Sequence, residues 1–151
     1  MRLAALTAVL LLLPSGPLSA LDDPDQLIRA LYAPDAMPDT AAEGARYLAA
    51  DNAKAYARQL KSKEVEPAVG FDWRCDCQDG QMTELAIGKP APLAGGRVAV
   101  KVDFKLEGEP RSLTYELCLG KKGWRIADLK PATGEWTLRD LLGLKATPLK
   151  C

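Results

Sequence analysis

The sequence predicts an α+β domain: two or three N-terminal helices, then about five strands in one antiparallel sheet, then a short C-terminal helix. Three observations predict it. Up to about position 63, apolar residues recur at helical spacing among many alanines, which favour helix. After Pro67 the apolar period changes to two, the period of a strand with one buried face. Gly, Pro and Asp clusters then separate the period-two runs closely enough for tight turns, so consecutive strands should pair as a meander. Helices gathered ahead of an antiparallel sheet are the α+β arrangement.

Residues 1–20 read as a secretory signal. Arg2 supplies a positive start, and Leu3 to Leu13 form an apolar run in which Thr7 is the only polar residue. Pro14, Ser15, Gly16 and Pro17 break any helix, and Leu18-Ser19-Ala20 places small residues before a cleavage point at Leu21. The run is about eleven residues, short of the ~20 that span a bilayer. The first cysteine is Cys75, so no lipid-attachment cysteine follows the run. The expected organisation is therefore a signal over 1–20, one domain over 21–144, and a tail over 145–151 tied down by a disulfide. The expected location is the periplasm or the exterior, with no membrane association after cleavage. Without Arg2 the remaining chain balances 19 basic against 20 acidic side chains. A near-neutral chain of alternating charge has no footprint for nucleic acid. Lys121-Lys122 with Arg125 is its only dense basic stretch.

The elements follow in order. Asp22-Asp23-Pro24-Asp25 starts a helix, because acidic residues and proline suit a first turn. Leu27, Ile28 and Leu31 form its apolar face, and Pro34 ends it. Thr40 or Asp39 caps a second helical stretch running toward Lys63, with Gly44 and Asn52 as candidate breaks. Tyr47, Leu48, Tyr56 and Leu60 recur along it. Phe71, Trp73, Cys75 and Cys77 alternate with Asp72, Arg74 and Asp76, which predicts a first strand before a turn at Gln78-Asp79-Gly80. Leu85 and Ile87 make a weaker strand. Val98, Val100, Val102 and Phe104 alternate with Ala99, Lys101, Asp103 and Lys105 in the clearest one. Leu113 to Leu119 and Trp124 to Asp128 complete a meander, with turns at Glu107-Gly108 and at Gly120 to Gly123. Trp124, in phase with Ile126, is expected to face inward as an anchor of the sheet. Thr137 caps a final helix from Leu138 to Leu142, with Asp140 at its third position.

The four cysteines, Cys75, Cys77, Cys118 and Cys151, form an even set downstream of an export signal, which predicts two disulfides. A Cys75–Cys77 bond closes a very tight ring, so each of that pair is expected to bond to one of Cys118 and Cys151. A zinc site is disfavoured, because structural zinc usually takes cysteine pairs two to four residues apart, often with His. The chain has no His, which also removes Ser-His-Asp and Cys-His catalysis. A redox role for Cys75-Asp76-Cys77 is disfavoured too, since oxidoreductases place Cys-x-x-Cys at a helix N-terminus. No metal or cofactor is expected.

Val98 to Phe104, a turn, Leu113 to Leu119, and then Gly123-Trp124-Arg125-Ile126-Ala127-Asp128-Leu129 resemble the ending of NTF2-like, cystatin-like α+β domains. Phe71-Asp72 with Cys77-Gln78-Asp79 and Thr137-Leu138-Arg139-Asp140-Leu141-Leu142 narrows the resemblance to a group of bacterial secreted NTF2-like domains. It covers about residues 25–143. It implies a curved sheet wrapped round the N-terminal helices as a cone with a pocket, and it implies no reaction. Isomerases of that superfamily pair a pocket carboxylate with a tyrosine. Asp72, Asp76 and Asp79 with Tyr115 are the candidates here, although two sit on the polar phase of a strand pattern and the third in a turn. Asp72, Gln78, Asp79, Tyr115 and Trp124 are the candidate ligand contacts, and no catalytic residue is assigned. Tyr47, Tyr56, Phe71, Trp73, Trp124 and Trp136 could line a ligand pocket, but aromatics at this spacing read first as core. Three functions remain open: a non-catalytic binding protein for a small molecule or a protein, an isomerase or cyclase using a pocket carboxylate, and an inhibitor or immunity-like interaction module. A cone interior that is empty, filled, or holding a carboxylate separates them.

Overall fold

The computed structural model describes residues 23–36, 40–62, 69–144 and 151. The signal over 1–20, its cleavage point and the tail residues 145–150 lie outside the described residues.

Helix α1 spans Pro24–Leu31, with the Asp23 side chain accepting the Asp25 amide at 2.9 Å and proline in its first turn. Leu27, Ile28 and Leu31 are buried, as their spacing predicts. Helix α2, Ala41–Tyr47, is capped by Thr40, whose Oγ1 accepts the Glu43 amide at 3.1 Å. The chain breaks after it at neither Gly44 nor Asn52. Leu48 and Ala49 turn extended, Leu48 bridges Ile126 in parallel, and the Ala49 amide donates to the Ile126 carbonyl at 2.8 Å. Helix α3, Ala50–Lys61, then starts with no side-chain cap, and Asn52 lies inside it.

Five strands form an open antiparallel sheet: β1 Met82–Ile87, β2 Ala91–Leu93, β3 Arg97–Leu106, β4 Glu109–Gly120 and β5 Gly123–Pro131. The order is β1-β3-β4-β5, and β2 pairs with the first residues of β3. Glu107 and Gly108 join β3 to β4, both at positive φ (51° and 85°), as a two-residue hairpin turn requires. The register sets Val100, Tyr115 and Leu129 side by side, with Val102 beside Leu113 and Leu117 beside Ile126. These side chains are fully buried against α1, α2 and Trp73. Lys101, Asp103 and Lys105 stand on the other face, where Lys101–Asp103, Lys105–Glu84 and Arg97–Glu116 ion pairs form at 2.8 Å. Helix α4, Leu138–Leu141, is capped by Thr137, whose Oγ1 accepts the Asp140 amide and donates to its carboxylate.

Two expectations are corrected. Residues 71–77 form no strand. Asp72 and Cys77 bridge each other, the Asp72 amide donates to the Cys77 carbonyl at 2.8 Å, and the chain coils between them. Trp73 and Cys75 are buried by that coil, so alternation arose without a strand. The fifth strand is β2 instead, with Pro92 at a sheet edge where its missing amide costs no ladder bond. The disulfides are Cys75–Cys77 and Cys118–Cys151, against the expected cross-pairing. The coil, with Asp76 at φ 54°, brings the Cys75 and Cys77 Cα atoms to 5.2 Å, inside the ordinary bonding range. Cys118–Cys151 fastens residue 151 beside Gly120, where a Cβ would stand 3.2 Å from the Cys151 backbone, so only glycine fits without a shift.

Candidate functional site

The sheet's inner face carries one polar assembly, built where α1 and the 72–77 coil meet β4. Tyr115 projects inward from the middle of β4 and is fully buried. Its hydroxyl lies 2.8 Å from that of Tyr32, at the C-cap of α1, and the two rings meet edge to face. Tyr32 donates its proton to the Arg74 carbonyl at 2.7 Å. Tyr115 is therefore the donor between the two hydroxyls, because a phenol has one proton to give. Arg74 faces the other way. Its guanidinium grips Asp72 through both oxygens, at 2.9 Å from Nε and 2.7 Å from Nη2, and also donates to the Ala36 carbonyl at 2.9 Å. The Asp72 carboxylate accepts the Arg74 amide as well.

The electrostatics follow from burial. Desolvation pushes the Tyr115 phenol well above its ordinary value, and the neighbouring Tyr32 adds to the rise. Desolvation also raises Tyr32, against the hydrogen bond from Tyr115. Burial works against the Arg74 cation, but the Asp72 hydrogen bonds and charge outweigh it and hold the guanidinium charged. Both phenols thus stay protonated, and the only outlet of their proton chain is a backbone carbonyl. Such an assembly orders α1 against β4 and the coil.

The structure brings two of the five candidate contacts, Asp72 and Tyr115, into one assembly, linked through Arg74 and Tyr32. Gln78 and Asp79 are exposed in the turn before β1. Asp76 accepts the Trp136 indole N–H at 3.0 Å, and Trp136 in turn packs edge to face on Phe71. Trp124 lies at the far end of β5. It is half-buried rather than buried, so the expected inward anchor is only partly enclosed. Its cross-strand partner is Leu119, which is 58% exposed although Leu117, two residues earlier on the same face, is fully buried. The apolar face of the sheet thus runs past the layer that covers it, as a rim beside the Lys121-Lys122 turn. Alternation could not find this rim, because it marks which face a residue takes but not how far the covering helices reach. Tyr32 and Arg74 carry no local signal, because only the coil brings them together.

Asp128 belongs to a second polar group. Its Oδ1 accepts the amides of Leu129 and Arg139, and burial raises its pKa. Arg139 is almost fully buried and donates to Asn52 Oδ1 at 3.1 Å. Among the described residues no group of three or more His, Cys, Asp or Glu is placed to hold a metal, and all four cysteines are in disulfides. No described helix is long and apolar enough to cross a membrane. Comparison of the chain with protein-family models, curated proteins and solved structures finds no match.

Proposed function

We propose that the chain is an exported binding domain with an NTF2-like arrangement of helices on its sheet, and that it recognises a protein partner through the inner-face rim at the β4–β5 hairpin. The observation that carries this reading is Leu119. A large apolar residue exposed to 58% across from a partly buried tryptophan is the composition of an interface centre, with lysines at its edge. Binding inside the cone is less well supported, because the sheet's inner face at Val100, Tyr115 and Leu129 is filled by side chains. The isomerase reading needs an interior carboxylate free to take a proton, and Asp72 is held by Arg74 through both oxygens. Export is supported by the apolar N-terminal run and by the disulfide pairs, which persist in oxidising compartments.

Photo-crosslinking tests the reading directly. A benzophenone amino acid at position 119 of the exported protein is expected to give one discrete protein adduct. The same residue at position 101, on the charged outer face, is expected to give none. No discrete adduct at 119, or the same adducts from both positions, overturns it.

A further inference from the structure

The two disulfides differ in what they can do for the fold. Cys118–Cys151 joins residues 33 apart, whereas Cys75–Cys77 joins residues 2 apart. Closing so short a loop removes little freedom from the unfolded chain. The coil around it is already held without the bond. The Asp72 amide donates to the Cys77 carbonyl, and the Cys75 and Cys77 amides donate to the Asp72 carbonyl at 3.2 and 3.3 Å. Arg74 ties the coil to Asp72 and to the Ala36 carbonyl, and Trp136 holds Asp76. The two residues are also unequally covered. Cys75 is 2% exposed, while Cys77 is only partly buried and leads into the exposed Gln78, Asp79 and Gly80.

We propose that Cys75–Cys77 is a thiol–disulfide exchange site that oxidises dithiol polypeptides. This inference stands on the 72–77 coil and does not rest on the rim at Leu119. A substrate thiolate attacks Cys77 Sγ, on the less buried of the two residues, from the side opposite Cys75. A substrate–Cys77 bond forms, the Cys75–Cys77 bond breaks, and Cys75 leaves with the electron pair and takes up a proton. The Asp72 carbonyl, 3.4 Å from Cys75 Sγ, is placed to accept the new S–H. The substrate's second thiolate then attacks its own first sulfur. The mixed disulfide breaks, and Cys77 leaves with the electron pair and a proton. The substrate loses two electrons and two protons, and the pair of cysteines gains them. A low-molecular-weight disulfide re-forms the Cys75–Cys77 bond by the same exchanges in reverse. The hydrogen-bonded coil keeps the two thiols together meanwhile, which makes the site reversible.

The test uses the full chain in its oxidised state and a reduced two-cysteine peptide. One equivalent of peptide disulfide is expected per protein, at least tenfold faster than with the Cys75→Ala/Cys77→Ala variant. Near-ultraviolet circular dichroism should be retained, and mass spectrometry should find Cys118–Cys151 intact. In single variants, the Cys77 thiol left by Cys75→Ala should form a mixed disulfide with oxidised glutathione at least tenfold faster than the Cys75 thiol left by Cys77→Ala. The wild-type measurement decides even where a variant does not fold. Absence of transfer, transfer only with loss of the folded signal, or faster reaction at Cys75 overturns the proposal.

Discussion

Tyr115 shows how one polar atom is accommodated in an apolar layer. Its neighbours along and across the strands are Leu113, Leu117, Val100 and Leu129, all fully buried, so an unpaired hydroxyl there would cost roughly 1–3 kcal/mol. Tyr32 supplies the acceptor and passes the chain on to the Arg74 carbonyl. Tyr115→Phe removes a donor and orphans nothing, since Tyr32 keeps its bond to Arg74. The expected cost at neutral pH is about 1 kcal/mol. The pH dependence is more telling. Both phenols are raised in the folded chain, so the stability they contribute is fully present below the unfolded value of about 10 and is lost as pH climbs through the raised folded values. Tyr115→Phe removes one of the two linked protons and should flatten the alkaline fall. Urea midpoints at pH 7 and pH 11 check it. Equal alkaline losses in the variant and the wild type would mean that Tyr115 does not carry this linkage.

At the scale of elements, the helical layer is joined to the sheet at an irregularity in β5. The register shifts between Glu116 and Leu117, so that Ala127 is the extra residue of a bulge. A bulge leaves backbone carbonyls without ladder partners. Asn52, fully buried in the first turn of α3, donates through Nδ2 to the Ile126 carbonyl at 3.2 Å and the Ala127 carbonyl at 2.8 Å. The same side chain accepts from Arg139, which ties α4 to the same point. This explains why the helical stretch breaks at Leu48-Ala49. Those residues leave the helix to pair with β5, and Asn52 re-enters it aimed at the bulge. Asn52, a candidate helix break in the sequence, works instead as a connector. Asn52→Ala takes its donor from the Ala127 carbonyl, while the Ile126 carbonyl keeps the Ala49 amide, and it takes one bond from Arg139. It should lower stability by roughly 1–3 kcal/mol and speed amide exchange at Ala49 and along the first turn of α3. Exchange that is faster only within α4 would place the connection elsewhere.

Across the whole molecule, the helix starts and the β3–β4–β5 meander were legible because each rests on local chemistry: caps at Asp23, Thr40 and Thr137, turn residues at Glu107-Gly108, and strict alternation from Val98 to Phe104. The segment 71–77 was not legible, because alternation there comes from a coil stabilised by contacts to Leu31, Ala36 and Trp136, all far off in sequence. The disulfide pairing failed for the same reason, since a Cys-x-Cys bond is easy once the coil exists and improbable along an extended strand. Of the candidate contacts, Asp72 and Tyr115 fall in one hydrogen-bonded assembly, but Tyr32 and Arg74, which join them, carry no local signal. The corrected pairing makes a stability prediction of its own. In the chain-entropy relation, a bond between residues 33 apart stabilises by about 4 kcal/mol and one between residues 2 apart by about 1.5 kcal/mol. The larger figure is a substantial part of the ~5–15 kcal/mol that holds a domain of this size. Cys118→Ala/Cys151→Ala should therefore lower the guanidinium midpoint at least twice as far as Cys75→Ala/Cys77→Ala. Its effect should lie mainly in the unfolded state, with the near-ultraviolet spectrum of the folded protein little changed. If the Cys75–Cys77 pair proved equally costly, that bond would be a staple of the coil rather than a bond the fold can open and close, and the exchange chemistry assigned to it would fall as well.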